Sequence, residues 1–242
     1  LSEALAAGLA PDGGLYVPDA MPTVDASDFS GLTRVEEVAV PLLRPWFEDD
    51  RLAPQLEAIC DEALAIDVPL REIAEDTWLM ELFHGPSAAF KDFGARFLAS
   101  ALSRLQEGEN RPLTILVATS GDTGGAVAAA FHGKPGVEVV VLYPEGRVSD
   151  RQAHQLSCWG DNVTTLAVDG DFDACQAMVK AAFVDPVCTD KRRLSSANSI
   201  NIGRLLPQMA YHAASALQQP GATFVVPTGN LGNALAARAV AA

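Results

Sequence analysis

The sequence predicts an α/β protein built on doubly wound, mostly parallel sheets. Four apolar runs rich in β-branched residues indicate strands: LTILVAT (113–119), VEVVVLY (137–143), VTTLAV (163–168) and TFVV (223–226). Each run is short, continuous and bounded by turn residues, which is typical of strands buried on both faces. Helical stretches separate the runs, and strands that alternate with helices favour a parallel sheet with helices on both sides.

The helices between the strands carry recognisable start signals. The helix predicted for SDRQAHQLSCWG begins at Ser149, a good N-cap residue, and ends at Gly160. DFDACQAMVKAAF opens with aspartates, which suit the positive end of the helix dipole. Two shorter helical patterns, VEEVAVPLLRPWF and PQLEAICDEALA, come earlier in the chain.

These signals divide the chain into four parts. Residues 1–70 form a helical and turn-rich segment, 71–105 a portion of a large domain, 106–190 a small α/β domain, and 191–242 the start of a second large-domain portion. The last strand–turn–helix unit has no strand after it. We therefore expect the chain to be part of a longer protein, with the second domain incomplete.

The charge and cysteine patterns exclude several classes of function. The 242 residues carry 17 basic and 31 acidic side chains, a net charge of −14, which argues against nucleic acid or an anionic membrane as a partner. Four scattered cysteines predict neither a metal site nor a disulfide framework. With no signal peptide and no apolar run long enough to span a bilayer, the sequence predicts a cytoplasmic protein.

One lysine stands where an apolar strand gives way to a helix. WLMELFH (78–84) is apolar enough for a strand, a Gly-Pro pair ends it, and Ser87 is a reasonable N-cap for the next helix. Lys91 then falls in the first helical turn, where desolvation and the helix dipole both favour its free amine. A free amine is what Schiff-base chemistry requires. A surface lysine paired with a neighbouring acid such as Asp92 explains the segment equally well.

Two glycine-rich turns follow predicted strands and open helices. TSGDTGGAVAAAF (119–131) and PTGNLGN (227–233) both place hydroxyls, amides and backbone N–H groups at a helix N-terminus. Such turns can bind a phosphate or another anion, although ordinary strand-to-helix turns have the same composition. Because the carboxyl ends of parallel strands meet at one edge of a sheet, we expect both turns and Lys91 to converge there.

A third polar cluster lies in LSSANSINIGRLLPQMAYH (194–212), a pattern that predicts a long helix. Its first turns carry Asn198, Ser199 and Arg204, polar donors that could bind a substrate anion. Capping and solvent exposure explain most clusters of this kind.

Taken together, these motifs resemble the threonine synthase family. The matching stretches, in the order the family has them, are ELFHGPSAAFKDFGARF, TSGDTGGAVAAAF, VDGDFDACQAMVKAAF, SSANSINIGRLL and PTGNLGN. Family members are pyridoxal-phosphate enzymes of the tryptophan synthase β-like fold, also called fold type II. The resemblance runs from GLAPDGGLYVP to the end of the chain. The combination is specific, although a single glycine-rich loop is not.

The resemblance implies a role for each motif. Lys91 would carry pyridoxal phosphate on its amine, and Asp122 would lie beside the cofactor, where many relatives have Asn. The cofactor's phosphate would be bound by Gly229, Asn230, Leu231, Gly232 and Asn233. The substrate would be bound by Ser120, Gly121, Thr123, Asn198, Ser199 and Arg204. In this family the residue that faces the pyridine nitrogen belongs to a C-terminal part of the fold, beyond the motifs of this sequence.

The implied reaction converts O-phospho-L-homoserine and water into L-threonine and phosphate by γ-elimination and β-addition of water. This is the last step of threonine biosynthesis, and an oligomeric protein would be compatible with it. Two alternatives stay open. Another lyase of the same fold, such as a threonine or serine dehydratase or a phospho-lyase, needs no productive addition of water. A non-catalytic relative would keep the fold for binding alone, but the retention of Lys91 and the phosphate loop argues against it.

Overall fold

The computed structural model describes residues 1–12, 14–199, 201–227 and 229–240. The chain begins with a helical segment, and its three α-helices are α1 (Ser2–Ala7), α2 (Val35–Leu43) and α3 (Leu56–Leu64). Short 3-10 turns stand between them, at Ala26–Phe29, Arg44–Phe47 and Ala53–Gln55. A two-stranded antiparallel hairpin of β1 (Leu70–Ala74) and β2 (Thr77–Met80) follows.

The rest of the described chain alternates helices and strands. The strands are β3 (Leu113–Ala118), β4 (Val137–Pro144), β5 (Val163–Val168) and β6 (Arg193–Ser196). The helices are α4 (Lys91–Leu105), α5 (Asp122–Phe131), α6 (Asp150–Ser157), α7 (Phe172–Val184), α8 (Pro186–Lys191), α9 (Ile202–Leu205), α10 (Gln208–Gln218) and α11 (Gly232–Val240). The four strands form one parallel sheet in the order β5–β4–β3–β6.

Both faces of this sheet are buried along its inner strand β3, which confirms the predicted doubly wound architecture. Along β3, Ile115 and Val117 belong to the main core, together with residues of α4 and α5. The side chains between them, Leu116 and Ala118, point to the opposite face and pack in a second core, which includes Cys175 of α7. The alternation follows from the two-residue period of a strand, so each face needs its own covering helices.

Helix α4 connects the first segment of the chain to the sheet. Its aromatic side chain Phe97 is fully buried against Phe47, with ring centroids 6.2 Å apart in an edge-to-face arrangement. On the same helix, Arg96 donates from Nε to the carbonyl of Ala63 (2.9 Å) and from Nη2 to that of Glu62 (2.6 Å). Those carbonyls lie near the end of α3, where helix C=O groups lack partners within the helix. Packing and polar contacts therefore fix α4 at the centre of the described structure.

Two secondary-structure predictions are wrong. TFVV (223–226) forms no strand: it has no hydrogen-bonded neighbour in the described part of the chain, and Val225 is 91% exposed. The segment 194–212 is not one long helix, because it opens with β6, which pairs with β3 in parallel register from Leu113 opposite Arg193. The serines of β6, Ser195 and Ser196, are buried, although a serine-rich stretch before a helical pattern is typical of a cap.

The predicted strand at 78–84 is shorter than expected and does not belong to the parallel sheet. It ends at Met80 and pairs antiparallel with β1, so it belongs to the hairpin and not to the parallel sheet. Conversely, β6 extends the sheet of the predicted 106–190 domain beyond its boundary. The division into four parts stays a prediction. None of the helices in the described ranges is long and apolar enough to cross a membrane.

Candidate active site

Lys91 is the first residue of α4, as the sequence predicts. The predicted N-cap is wrong: Phe90 occupies that position and makes no side-chain capping bond. Ser87 instead donates its backbone N–H to Asp92 Oδ2 at 2.9 Å. Asp92 is 1% exposed, and burial raises the pKa of its carboxyl. Asp92 therefore faces inward and holds the loop before the helix, so it does not serve as the partner of Lys91.

The amine of Lys91 faces a different acid. Its Nζ lies 3.8 Å from Asp122 Oδ2, and 4.7 Å from the centroid of the Phe90 ring, within cation–π range. The lysine side chain is 26% exposed, so most of it is shielded from solvent. A partly desolvated primary amine next to a carboxylate can bind a carbonyl compound or transfer a proton.

Asp122 is held by a tight turn at the end of β3. Thr119 Oγ1 accepts the backbone N–H groups of Gly121 (3.1 Å) and Gly124 (3.0 Å), which fixes the start of α5. Gly121 has a φ of 150°, a conformation that L side chains rarely adopt. Asp122 Oδ1 accepts from Gln152 Nε2 at 3.0 Å. The carboxylate thus has a donor on one side and the Lys91 amine on the other.

Asn233 anchors the second glycine-rich turn. It lies in the first turn of α11 and is buried, and its Oδ1 accepts from Tyr211 Oη (2.8 Å) and His212 Nε2 (2.7 Å) of α10. Because an amide oxygen only accepts, His212 carries its proton on Nε2, and its Nδ1 is an acceptor. Burial lowers the pKa of His212, which keeps the ring neutral. Nδ1 is buried and has no partner among the described residues.

Lys91, Asp122 and Asn233 line the same cavity, whose volume is about 1150 Å³. The three predicted motifs therefore come together at one place, although the strand before Lys91 belongs to the hairpin. Aromatic and aliphatic side chains provide much of the remaining wall. They include Trp78, Phe83, Phe90, Phe224 and Val226. A cavity with an apolar wall and a few polar groups is typical of a small-molecule site.

Apart from Pro227, the other described residues of the two turns are not among those that line this cavity. Ser120 is exposed and Thr123 half-buried at the start of α5. Gly229, Asn230 and Leu231 are exposed, Gly232 is half-buried, and Thr228 falls outside the described residues. Leu231 has a φ of 59°, and its carbonyl accepts the N–H of Leu235, so α11 starts from a left-handed residue.

Arg204 does not reach the cavity. It is fully buried in α9, where Nη1 donates to the carbonyl of Ala197 at 2.5 Å and Nε has no partner among the described residues. Burial lowers the pKa of its guanidinium to about 10, and the charge of Asp92 opposes that shift. This arrangement supports a structural role behind α4. Asn198 is half-buried and Ser199 exposed in the connection after β6, and neither lines the cavity.

Two contributors to the site, Gln152 and His212, were missed by the sequence reasoning. A signal for Gln152 was present, because Ser149 and Gln152 have the spacing of a capping box, which fixes a side-chain amide at the start of α6. His212 has no metal-ligand or triad spacing in the sequence. Only the packing of α10 against α11 brings it to the cavity.

Comparison with known families decides the family of this chain. A family model described as "Pyridoxal-phosphate dependent enzyme" matches residues 65–241. The chain belongs to this family. A second model, "Threonine synthase N terminus", matches residues 1–64, so the two matches together run through nearly the whole sequence of this family member.

Curated relatives and solved structures of the family agree with this assignment. The threonine synthase of Escherichia coli K12 is 41% identical over 239 residues, which cover 96% of this chain and 55% of that protein. The Saccharomyces cerevisiae threonine synthase is 36% identical, covering 97% of this chain and 51% of that protein. The chain thus spans about half the length of the curated relatives it matches.

Two threonine synthase structures superpose closely on this pyridoxal-phosphate-dependent family member. The crystal structure from Escherichia coli has a TM-score of 0.85 at 41% identity, covering 99% of this chain and 58% of that chain. The pyridoxal-phosphate-bound threonine synthase from Brucella melitensis has a TM-score of 0.88 at 38% identity, covering 99% and 54%.

Proposed function

We propose that the whole protein to which this chain belongs is a threonine synthase, which converts O-phospho-L-homoserine and water into L-threonine and phosphate. One observation carries the proposal. Lys91, Asp122 and Asn233 converge on one cavity, in a chain that is 41% identical to the Escherichia coli threonine synthase over 96% of its length. The activity is proposed for the whole protein because the chain covers about half of its relatives.

The residues of the cavity fit pyridoxal phosphate. Lys91 presents a primary amine, which an aldehyde cofactor requires for covalent binding. Trp78, Phe90 and Phe224 offer apolar surfaces for a planar ring. The buried Nδ1 of His212, which has no partner in the described part of the chain, is an acceptor suited to a ligand donor. When bound, the cofactor withdraws electrons from the substrate carbon next to its amino group.

Lys91 and Asp122 are the proposed reactive pair. Lys91 holds the cofactor in the resting protein and, once its amine is released, moves protons at Cα and Cβ of the substrate. Asp122 stays beside that amine, with Oδ2 facing Nζ at 3.8 Å. The Asp122 side chain is 52% exposed, so solvent screens the attraction between the two groups, and their geometry matters more than their Coulomb energy.

The turn before α11 is the proposed phosphate site of the cofactor. Glycines in the turn allow the backbone to approach a phosphate closely, and the N-terminus of α11 supplies backbone N–H donors. Asn233 would contribute its donors, the backbone N–H and the side-chain Nδ2, because Tyr211 and His212 engage its Oδ1, an acceptor that could not bind a phosphate. The residues assigned to this site are Gly229, Asn230, Leu231, Gly232 and Asn233.

The substrate carries two anionic groups, so a protein with a net charge of −14 must bind it through local donors. Ser120, Gly121 and Thr123, at the N-terminal end of α5, are the proposed contacts for the carboxylate. Asn198 and Ser199 are the proposed additional donors. Arg204 is left out of this set because it is buried behind α4.

We also propose a cytoplasmic location. Cys60, Cys158, Cys175 and Cys188 are all free thiols in the structure. Four unpaired cysteines are typical of a reducing compartment, because disulfides form and persist in oxidising ones.

Borohydride trapping and product analysis test the proposed function. The whole protein, purified with pyridoxal phosphate, should be yellow, and borohydride followed by peptide mapping should place the cofactor on Lys91. The variant Lys91→Ala should carry no label, whereas the matched control Lys180→Ala, at an exposed lysine of α7, should label normally. Given O-phospho-L-homoserine, the protein should release threonine and phosphate.

Two results would contradict the proposal. A label on another residue, or a labelled Lys91→Ala variant, would remove Lys91 from its assigned role. Release of 2-oxobutyrate without threonine would identify a dehydratase or phospho-lyase of the same fold.

A further inference from the structure

The side-chain amide of Gln152 connects the start of α6 to the candidate active site. Gln152 is the third residue of α6, and its Oε1 accepts from the backbone N–H of Ser149 (3.2 Å) and from Ser149 Oγ (3.1 Å). In return, Ser149 Oγ accepts the backbone N–H of Gln152 at 3.3 Å. This reciprocal pair is a capping box. Because two donors engage Oε1, the NH₂ group of the amide must point the other way.

That NH₂ group points to Asp122. Gln152 Nε2 donates to Asp122 Oδ1 at 3.0 Å, and Asp122 Oδ2 lies 3.8 Å from Lys91 Nζ. The amide, the carboxylate and the amine therefore form a chain in which each oxygen of Asp122 has its own neighbour. A carboxylate fixed through one oxygen cannot rotate freely about its last bond. The donor on Oδ1 consequently holds Oδ2 toward Lys91.

The turn before α5 is shaped so that this amide can approach. A Cβ atom placed on Gly121 would lie 2.4 Å from Gln152 Nε2 and 2.9 Å from its Cδ, closer than carbon atoms pack. Glycine is therefore needed at this position for two reasons, the first being its φ of 150°. It leaves the space that the Gln152 side chain crosses to reach Asp122.

We propose that Gln152 is a positioning residue for the reaction: it orients Asp122 toward the Lys91 amine and does not itself touch the reacting atoms. The proposal rests on the proposed function, because Lys91 must be the residue that binds pyridoxal phosphate. It adds a residue from a separate helix to the site and gives the Asp122 carboxylate a fixed direction. It also implies that the capping of α6 and the geometry of the site depend on one amide.

A double-mutant cycle separates this role from a structural one. Gln152→Glu keeps the capping box, because glutamate is a normal residue at the third helical position, but it has no N–H for Asp122. Asp122→Asn combined with Gln152→Glu restores a donor–acceptor pair with the roles exchanged. Ser149→Ala is the control for the cap: it removes the hydroxyl and one of the two donors on Oε1, but the backbone N–H of residue 149 still binds Oε1 and the Gln152 NH₂ group is kept.

The measurement is the rate at which pyridoxal phosphate becomes attached to Lys91 in the whole protein, trapped with borohydride and quantified by peptide mapping. Gln152→Glu should slow attachment about tenfold, at the low end for a hydrogen bond to a charged group. The double variant should be several-fold faster than the product of the two single effects predicts. Ser149→Ala should attach the cofactor at a rate within about twofold of the unsubstituted protein, although it unfolds at a lower temperature.

A second variant covers the case in which Gln152→Glu does not fold. Gln152→Met has the same length and no charge, and it should slow attachment clearly more than Ser149→Ala, which keeps the NH₂ group that donates to Asp122. Equal rates in those two variants, or single effects that simply multiply in the cycle, would overturn the positioning role of Gln152 and leave the proposed function in place. Absence of label on Lys91 in the unsubstituted protein would overturn the proposed function, and this assignment with it.

Discussion

Replacing Gly94 with alanine should destabilise the protein, although alanine is the better helix former. Gly94 lies within α4, where the exchange alone is worth about 1 kcal/mol in favour of alanine. However, a Cβ atom at this position would lie 2.7 Å from the carbonyl oxygen of Arg204 and 3.2 Å from its Cα. These are backbone atoms of α9, so the contact cannot be relieved by a side-chain rotation.

The balance between the two effects follows from how firmly Arg204 is held. Its carbonyl accepts from Gln208 Nε2 at 2.7 Å, its guanidinium donates to Ala197, and the residue is buried. Overpacking of a close-packed interior costs about 1–3 kcal/mol, and the upper end applies where the neighbour is fixed. Subtracting the gain in helix propensity leaves a net loss of about 2 kcal/mol for Gly94→Ala.

Urea denaturation followed by circular dichroism measures this difference, with Gly125→Ala as the matched control. Gly125 lies in α5, and a Cβ atom there would meet only the side chain of Gln155, at 3.6 Å, an ordinary contact. The control should therefore gain up to about 1 kcal/mol. If Gly94→Ala were as stable as the control, the close approach of α4 and α9 would not limit residue 94, and the reasoning would be refuted.

Two further predictions concern ionisable groups. Because burial lowers the pKa of His212, the unfolded chain takes up its proton first, so stability should fall as the pH drops below about 6.5. His212→Gln keeps a donor for Asn233, and its unfolding free energy should fall less over that range; an unchanged pH profile would contradict this. Partial burial by itself raises the pKa of Glu62, but the hydrogen bonds from Lys134, Arg104 and Ser100 together outweigh it and lower that pKa to about 2. The stability that Glu62 contributes should therefore be fully present above pH 4.5 and lost as the pH falls toward 2. At pH 7, Glu62→Gln should lower the free energy of unfolding by about 1 kcal/mol after allowing for solvent screening. Equal urea midpoints for this variant and the unsubstituted protein would contradict the prediction.

The sequence predicts those parts of the fold where one physical signal dominates. The runs that form β3, β4 and β5 are apolar and β-branched, and nothing competes with a strand assignment there. Ser149 and Asp171 lie before helices whose side-chain caps are observed, because capping is a local interaction. The first-turn position of Lys91 is also predicted correctly, because the Gly-Pro pair at 85–86 ends the preceding apolar run, although Ser87 is not the N-cap.

Prediction fails where a residue's environment comes from distant parts of the chain. Ser195 and Ser196 form a strand only because β3 offers an edge with free hydrogen-bonding groups. TFVV has strand propensity but no neighbouring strand in the described part of the chain. Arg204 has the chemistry of an anion-binding residue, yet the packing of α9 under α4 buries it. His212 lines the cavity because α10 packs against α11, whose Asn233 is 21 positions away in the sequence.

The central position of α4 has a consequence for chimeras made between members of this family. The boundary between the two family matches falls at residues 64 and 65, yet Phe47 on one side packs against Phe97 on the other, and Arg96 binds the end of α3. The two parts can be recognised separately in a sequence but share one apolar core. A chimera that took only residues 1–64 from a relative would join two halves of one core whose sequences had changed independently of each other. The helix that carries Lys91 at its tip would be the first element to lose its fit.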